Sequence, residues 1–222
     1  ATHAGEIREH WPTVMRRVAG YNLDLFDARS ERPYTADGSV NLAHLLIGAE
    51  GTLGFTRELT LKLSPLPRSK VLGVINFRTF RRAMEAPQHI VGLNPVAVEL
   101  VDRTMIRLAL ANPAFAPTMR TALIGDPEAI LLVEFAGEDR TALLEKLDRL
   151  VDLMADLGQP GSVVRMPEDK AQKALWDVRK AGLNIMMSAR GDGKPVSFIE
   201  DCAVPLEHLA DYTDHLTDVF AR

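Results

Sequence analysis

The sequence of 222 residues contains a single cysteine, Cys202. One thiol excludes a disulfide within the chain and any Cys-rich zinc or iron–sulfur site built from this chain alone, and it fits a reducing, cytoplasmic setting. Charge of one sign is also lacking, since 26 Lys and Arg stand against 30 Asp and Glu for a net charge of −4. A nucleic-acid surface needs a clustered positive excess, so that class of partner is not expected. Small anions remain open as ligands, because one or two arginines suffice for a carboxylate. No apolar run approaches a membrane span and no secretory signal opens the chain, so any membrane association would be peripheral. What is present is ordinary for a globular protein: 46% of residues are hydrophobic and 25% charged, enough for a sizeable core. The chain opens on Ala1 and closes on Arg222, both beside amphipathic stretches, and reads as a piece of a longer protein.

The hydrophobic spacing predicts an α+β fold. Apolar residues Ile7, Trp11, Val14, Met15 and Val18 recur at helical intervals over Glu6–Val18, and a polar stretch over 24–40 reads as a loop. Leu42–Ile47 is a short helix capped by Asn41, and Phe55–Leu63 alternates as a strand would. Ser64-Pro65-Leu66-Pro67 ends that segment and marks a domain boundary. Beyond it the pattern is strand at Val71–Phe77, helix from Thr79, strand at Val96–Leu100 (or the start of the next helix), and helix at Asp102–Ala111. Strand at Ala129–Phe135, helix at Asp139–Leu157 and strand at Val163–Met166 follow. Two β-α-β units in this order suggest a ferredoxin-like, largely antiparallel sheet with helices on one side. Glu168–Met187 is a further helix, Val196–Val204 a strand, and Pro205 opens the last helix.

Gly48-Ala49-Glu50-Gly51-Thr52-Leu53-Gly54 is the run with the most chemistry in it. Three glycines in seven residues permit torsions closed to other residues and let the main chain approach a ligand. Its exposed N–H groups would cradle an anion or polar edge, with Thr52 adding a hydroxyl and Glu50 an acceptor. The spacing fits neither the dinucleotide glycine fingerprint nor the phosphate loop, and by itself it favours a plain turn. Glu99 and Asp102 read as a solvated edge, Asp102 with Arg103 as a surface pair, and Trp176 as core. Of the six histidines only His44, just ahead of the glycine run, is placed to approach a ligand there; His3, His10, His89, His208 and His215 read as exposed.

The longer segment Leu46-Ile47-Gly48 through Phe55, followed by Leu59-Thr60-Leu61-Lys62-Leu63-Ser64-Pro65-Leu66-Pro67, resembles the end of the FAD-binding domain of vanillyl-alcohol-oxidase-type flavoproteins. It is most similar to their D-lactate, glycolate and D-2-hydroxyglutarate dehydrogenase branch, which has Ser where this chain has Ala49. Gly20-Tyr21-Asn22-Leu23 resembles the family's Gly-Tyr-Asp-Leu element, with Asn22 in place of Asp. Further on, Ala97-Val98-Glu99-Leu100-Val101-Asp102, Leu175-Trp176-Asp177-Val178-Arg179 and Glu200-Asp201-Cys202-Ala203-Val204-Pro205 are similar to segments of its substrate or cap domain, in family order.

The resemblance implies residues 1–67 as the C-terminal part of an FAD-binding domain and 68–222 as a truncated substrate domain. It implies FAD contacts from Gly20, Tyr21, Asn22, Gly48, Glu50, Gly51, Thr52 and Gly54, and a substrate carboxylate held by Arg179. A guanidinium fork suits that task; read from the residues alone, Arg179 is a surface arginine over Trp176 or paired with Asp177 or Glu168. Arg190, Lys194 or Lys180 could clamp a second carboxylate. No catalytic base and no metal site is assigned to the chain. The whole enzyme would pass hydride from a D-2-hydroxy acid to FAD, and the loop over 24–40 resembles a bacterial subgroup with a C-terminal iron–sulfur domain and hence a separate electron acceptor. A homodimer is compatible with this. The competing expectations are a non-catalytic ferredoxin-like regulatory or interaction domain, and an oxidase that hands electrons to oxygen.

Overall fold

Ala129–Phe135 is an unbroken apolar run except for Glu134, and Val71–Phe77 is nearly so, as expected of strands covered on both faces. A computed structural model of the chain describes residues 3–11, 20–26, 40–187, 199 and 202–222. The chain clusters into two units, Ala1–Ser64 and Pro65–Arg222.

In the first unit, α1 spans Ala4–His10, a 3-10 turn spans Leu23–Phe26, and α2 spans Ala43–Leu46. Asn41 accepts from the N–H of Ala43 at 3.1 Å, the expected capping contact. Residues 12–18 of the helix expected over Glu6–Val18, and 27–39 of the expected loop, lie outside the described residues. The strand expected over Phe55–Leu63 does not form: the segment joins no ladder and its apolar side chains are exposed, Phe55 by 94%. Alternation only proposes a strand. A ladder needs a partner edge, and none pairs with this segment among the described residues.

The second unit is built on a four-stranded sheet of β1 (Ser69–Phe77), β2 (Ala97–Asp102), β3 (Ala129–Gly137) and β4 (Val163–Met166). Its order is β2-β3-β1-β4 and every neighbouring pair is antiparallel. That is the split β-α-β arrangement expected of a ferredoxin-like sheet. Between β1 and β2 lie α3 (Phe80–Glu85) and α4 (Pro87–Ile90); α5 (Arg103–Ala111) and α6 (Ala116–Ala122) join β2 to β3, and α7 (Arg140–Asp156) joins β3 to β4. After β4 come α8 (Asp169–Lys180), α9 (Gly182–Met187) and α10 (Leu209–Phe220). The single helix expected over Glu168–Met187 is therefore two, and the strand expected over Val196–Val204 falls largely outside the described residues.

Helices cover both faces of the sheet, not one as the topology alone suggested. Val71, Ile75, Phe77, Leu131, Val133 and Phe135 pack on one face under α3, α4, α7 and α10. Leu72, Val74, Ile130 and Leu132 pack on the other under α5, α6 and α8. The physical reason is the burial of β1 and β3, whose odd and even residues are both apolar and both need a cover. Asp102 caps α5 by accepting from Met105 N at 2.8 Å, so it does not pair with Arg103, which goes to Asp126 instead.

α7 lies against β1 through Leu143, Leu147, Leu150 and Met154, spaced four and three apart along one stripe. It can approach closely because β1 has Gly73 beneath it. A Cβ at Gly73 would stand 2.5 Å from Leu150 Cδ2 and 3.0 Å from Leu147 Cδ1, and both leucines are fully buried. Ala suits a strand better than Gly, but only by about 0.5–1 kcal/mol. The overlap should outweigh that gain. Gly73→Ala is expected to destabilise the protein by about 1–3 kcal/mol in denaturant unfolding, the usual effect of overpacking; a neutral or stabilising result would mean α7 is free to lift.

α10 packs on α3, where Arg81 donates to Glu85 at 3.0 Å, to Asp211 at 2.7 Å and to Asp214. The hydrogen bond from Arg81 holds the Asp211 carboxyl below the usual carboxylate range. A depressed carboxyl contributes stability above its ordinary pKa and loses it as pH falls through the lowered value. Amide protection factors in Leu209–Phe220 should therefore fall at acid pH before those in β1 and β3 do, and Arg81→Gln should abolish that pH dependence.

Candidate functional site

The first unit brings the two sequence-predicted elements together. Gly20 N donates to Gly48 O at 3.1 Å, and the Asn22 amide donates to Ile47 O at 2.9 Å and to His44 O at 3.5 Å. The Tyr21 and Thr52 hydroxyls are 2.9 Å apart, and Thr52 Oγ1 donates to Ala49 O at 2.6 Å. An Asp at position 22 could not donate to those carbonyls when ionised, so Asn22 suits this local arrangement. Residues Gly20, Tyr21, Asn22, Gly48 and Thr52 thus form one connected patch.

The turn between them has a specific backbone form. Thr52 N donates to Ala49 O at 2.9 Å, and the two residues between, Glu50 and Gly51, have φ of +49° and +79°. Two consecutive positive φ values characterise a type I′ turn. Gly48 at +84° and Gly20 at +85° sit in the same left-handed region, which explains glycine at both. Among the described residues the N–H groups of Glu50, Gly51, Leu53 and Gly54 donate to no protein acceptor, and a Cβ at Gly51 or Gly54 would meet nothing within 4 Å. Among the described residues the turn is open and its donors have no acceptor, a set that fits the polar edge of a large planar cofactor. Ala49 is buried, so a serine hydroxyl at that position would not face outward.

The second unit holds a separate cleft of about 570 Å³, walled by Lys70, Glu99, Glu134, Gln172, Lys173 and Trp176. Glu134 is its most buried charge, 7% exposed on β3. Its two carboxylate oxygens are both used: Lys70 Nζ donates to one at 2.9 Å and Trp176 Nε1 to the other at 2.9 Å. Gln172 donates to Lys70 O at 3.1 Å. Arg179 Nη2 donates to Glu99 at 3.0 Å; Asp177, a partner considered for it, is taken by Lys173 at 2.7 Å. Arg179 makes no other described hydrogen bond, and its Nε is buried without an acceptor among the described residues. Lys180 lines the same cleft, whereas Arg190 and Lys194 lie outside the described residues.

Sequence reasoning had placed Glu99 on a solvated edge and missed Lys70, Glu134 and Gln172. Glu134 did leave a signal: it is the one charged residue inside the apolar run Ala129–Phe135. A lone charge in a doubly covered strand needs a partner. Which partner could not be read, because Lys70 reaches it through the β1–β3 register, 64 positions away.

Residues 66–222 match the family of FAD linked oxidases, C-terminal domain. The chain is 33% identical over 95% of its length to a D-2-hydroxyglutarate dehydrogenase of Pantoea ananatis, covering 21% of that protein. It is 30% identical, again over 95%, to a mitochondrial D-lactate dehydrogenase (cytochrome) of Arabidopsis thaliana, covering 35%. Against the glycolate oxidase subunit GlcD of Bacillus subtilis it is 26% identical over 82%, covering 37%. The chain thus spans between a fifth and two fifths of these relatives, and with its β-α-β sheet and its C-terminal-domain match it belongs to the family of FAD linked oxidases.

Proposed function

We propose that this chain is part of a flavoprotein that oxidises a D-2-hydroxy acid to the 2-keto acid. What carries the reading is the family match, together with similarity to relatives whose names share that substrate chemistry. When bound, FAD supplies the hydride acceptor. Residues 1–67 are read as the end of the FAD-binding domain and 68–222 as substrate domain. The open N–H groups at Glu50, Gly51 and Gly54, with Gly20, Tyr21, Asn22, Gly48 and Thr52 shaping the turn, contact the cofactor's polar edge. In the second unit Arg179 binds the substrate carboxylate: it is half-exposed, and Glu99 is its one described acceptor. A guanidinium has five donors, so one bond to Glu99 leaves enough for a second carboxylate.

The electron acceptor is proposed to be a separate centre, an iron–sulfur cluster elsewhere in the protein, as the resemblance of residues 24–40 suggests. Iron and acid-labile sulfide in the purified intact protein would support this, while rapid oxygen consumption with substrate would favour an oxidase.

In the intact protein, anaerobic addition of D-lactate, glycolate or D-2-hydroxyglutarate should bleach the flavin absorbance, and the L enantiomers of the chiral two should not. Failure of all three substrates to bleach a flavin-loaded sample would remove the dehydrogenase reading. Arg179→Ala should raise KM by about 10- to 100-fold, the scale of losing a charge-assisted pair to a carboxylate. An unchanged KM would mean that the carboxylate binds elsewhere.

A further inference from the structure

α8 makes one polar tether to each of three strands of the sheet. Gln172 reaches the β1 carbonyl of Lys70 at 3.1 Å, Trp176 reaches Glu134 on β3 at 2.9 Å, and Arg179 reaches Glu99 on β2 at 3.0 Å. These strands are consecutive in the order β2-β3-β1. On the helix the three side chains sit at i, i+4 and i+7, along a single stripe. The two carboxylate acceptors lie on a single face of the sheet as well: Glu99 is opposite Leu132, two residues from Glu134, and Leu132 belongs to the core under α8. Leu175 and Val178 supply the apolar contact between the tethers. Apolar contact has no preferred direction, so it leaves the helix free to slide and turn; three directed hydrogen bonds do not.

We infer that Glu99 and Glu134 are positioning residues for Arg179. Glu134 fixes the rotation and height of α8 through Trp176, one turn before Arg179. Glu99 then fixes the guanidinium plane itself. The inference rests on the proposed role of Arg179 toward the substrate carboxylate. A merely stabilising role for Glu99 is disfavoured by exposure. Both side chains of its pair with Arg179 are 42% exposed, where ion pairs add little to stability. A free arginine samples many rotamers and must be ordered when it binds. With Glu99 in place that ordering is already done, so the effect should appear in KM more than in kcat.

The test uses the intact protein and four variants: Glu99→Gln, Trp176→Phe, Arg179→Ala and the double variant Glu99→Gln/Arg179→Ala. Trp176→Phe removes the indole N–H together with its five-membered ring and keeps a six-membered aromatic, so it reports on the Glu134 tether without requiring a buried carboxylate to be changed. Glu99→Gln should raise KM for the hydroxy acid about 5- to 20-fold, and Trp176→Phe about 2- to 5-fold, with kcat changed less than twofold in each. In the Arg179→Ala background Glu99→Gln should change KM no further, since its effect passes through Arg179. Two failures are distinguishable. If Arg179→Ala leaves KM unchanged, the substrate role of Arg179 is wrong. If Arg179→Ala raises KM but Glu99→Gln leaves it unchanged, lowers it, or adds its full effect in the double variant, the positioning inference is overturned.

Discussion

The pairing of β1 with β3, nine residues long and buried on both faces, is the constraint from which the second unit follows. Because neither face is left to water, each must be sealed by helices, and the chain supplies α3, α4, α7 and α10 to one and α5, α6 and α8 to the other. Burial of this kind stabilises by roughly 25 cal/mol per Å² of apolar surface removed from water, which favours long uninterrupted apolar strands. It also makes any polar residue on those strands costly unless it is satisfied. Two buried polar residues sit there. Asn76 donates to Ala122 O at 3.1 Å and accepts from Ile124 N at 3.0 Å, so it closes the turn before β3. Glu134 does the corresponding work on the other half of the strand pair, and its two partners bring β1 and α8 to β3.

This accounts for the placement of the cleft. Lys70, Glu134 and Trp176 are drawn to one point by the need to neutralise and hydrogen-bond a single carboxylate at the edge of the core. The strand register then carries Glu99 to the same face, one diagonal step away. The polar cleft is therefore where the apolar cover of the sheet gives out, and the ion pairs mark its rim.

Much of this fold was legible in the sequence, for stateable reasons. The spacing of Leu143, Leu147, Leu150 and Met154 gave α7 within a residue or two, and Asp139, read as the helix's first residue, is its N-cap. Val71–Phe77 and Ala129–Phe135 read as strands because apolar runs of that length between turn signals have few alternatives. What failed had a common cause. Phe55–Leu63 has the period of a strand, but forming one depends on a partner that local pattern does not contain. The cover on both faces was likewise missed because the β-α-β order describes only the crossover helices, and α5, α6 and α8 lie outside those crossovers. In the first unit the positive-φ turn was readable from its glycines, while the bonds from Gly20 and Asn22 to Gly48 and Ile47 were not. Side-chain partners separated by tens of residues need the fold before they can be named.

The Arg179–Glu99 pair shows how magnitude separates structure from function at such a site. As a contribution to stability it is worth at most about 1 kcal/mol, since both groups are half in water. Against that stands the cost of holding a long arginine side chain in one rotamer, up to about 2 kcal/mol. On stability alone the pair is close to neutral, and the same helix could be docked by Leu175 and Val178 with any surface residue at position 179. Glu134 is different, because its burial makes its partners compulsory. The tethers of α8 thus divide by exposure: the Glu134–Trp176 bond satisfies a buried carboxylate, and the half-exposed Glu99–Arg179 bond has more to offer in orientation than in stability. That division matches a helix whose first turns are anchored in the core and whose last turn holds a half-exposed guanidinium, as the proposed substrate role of Arg179 requires.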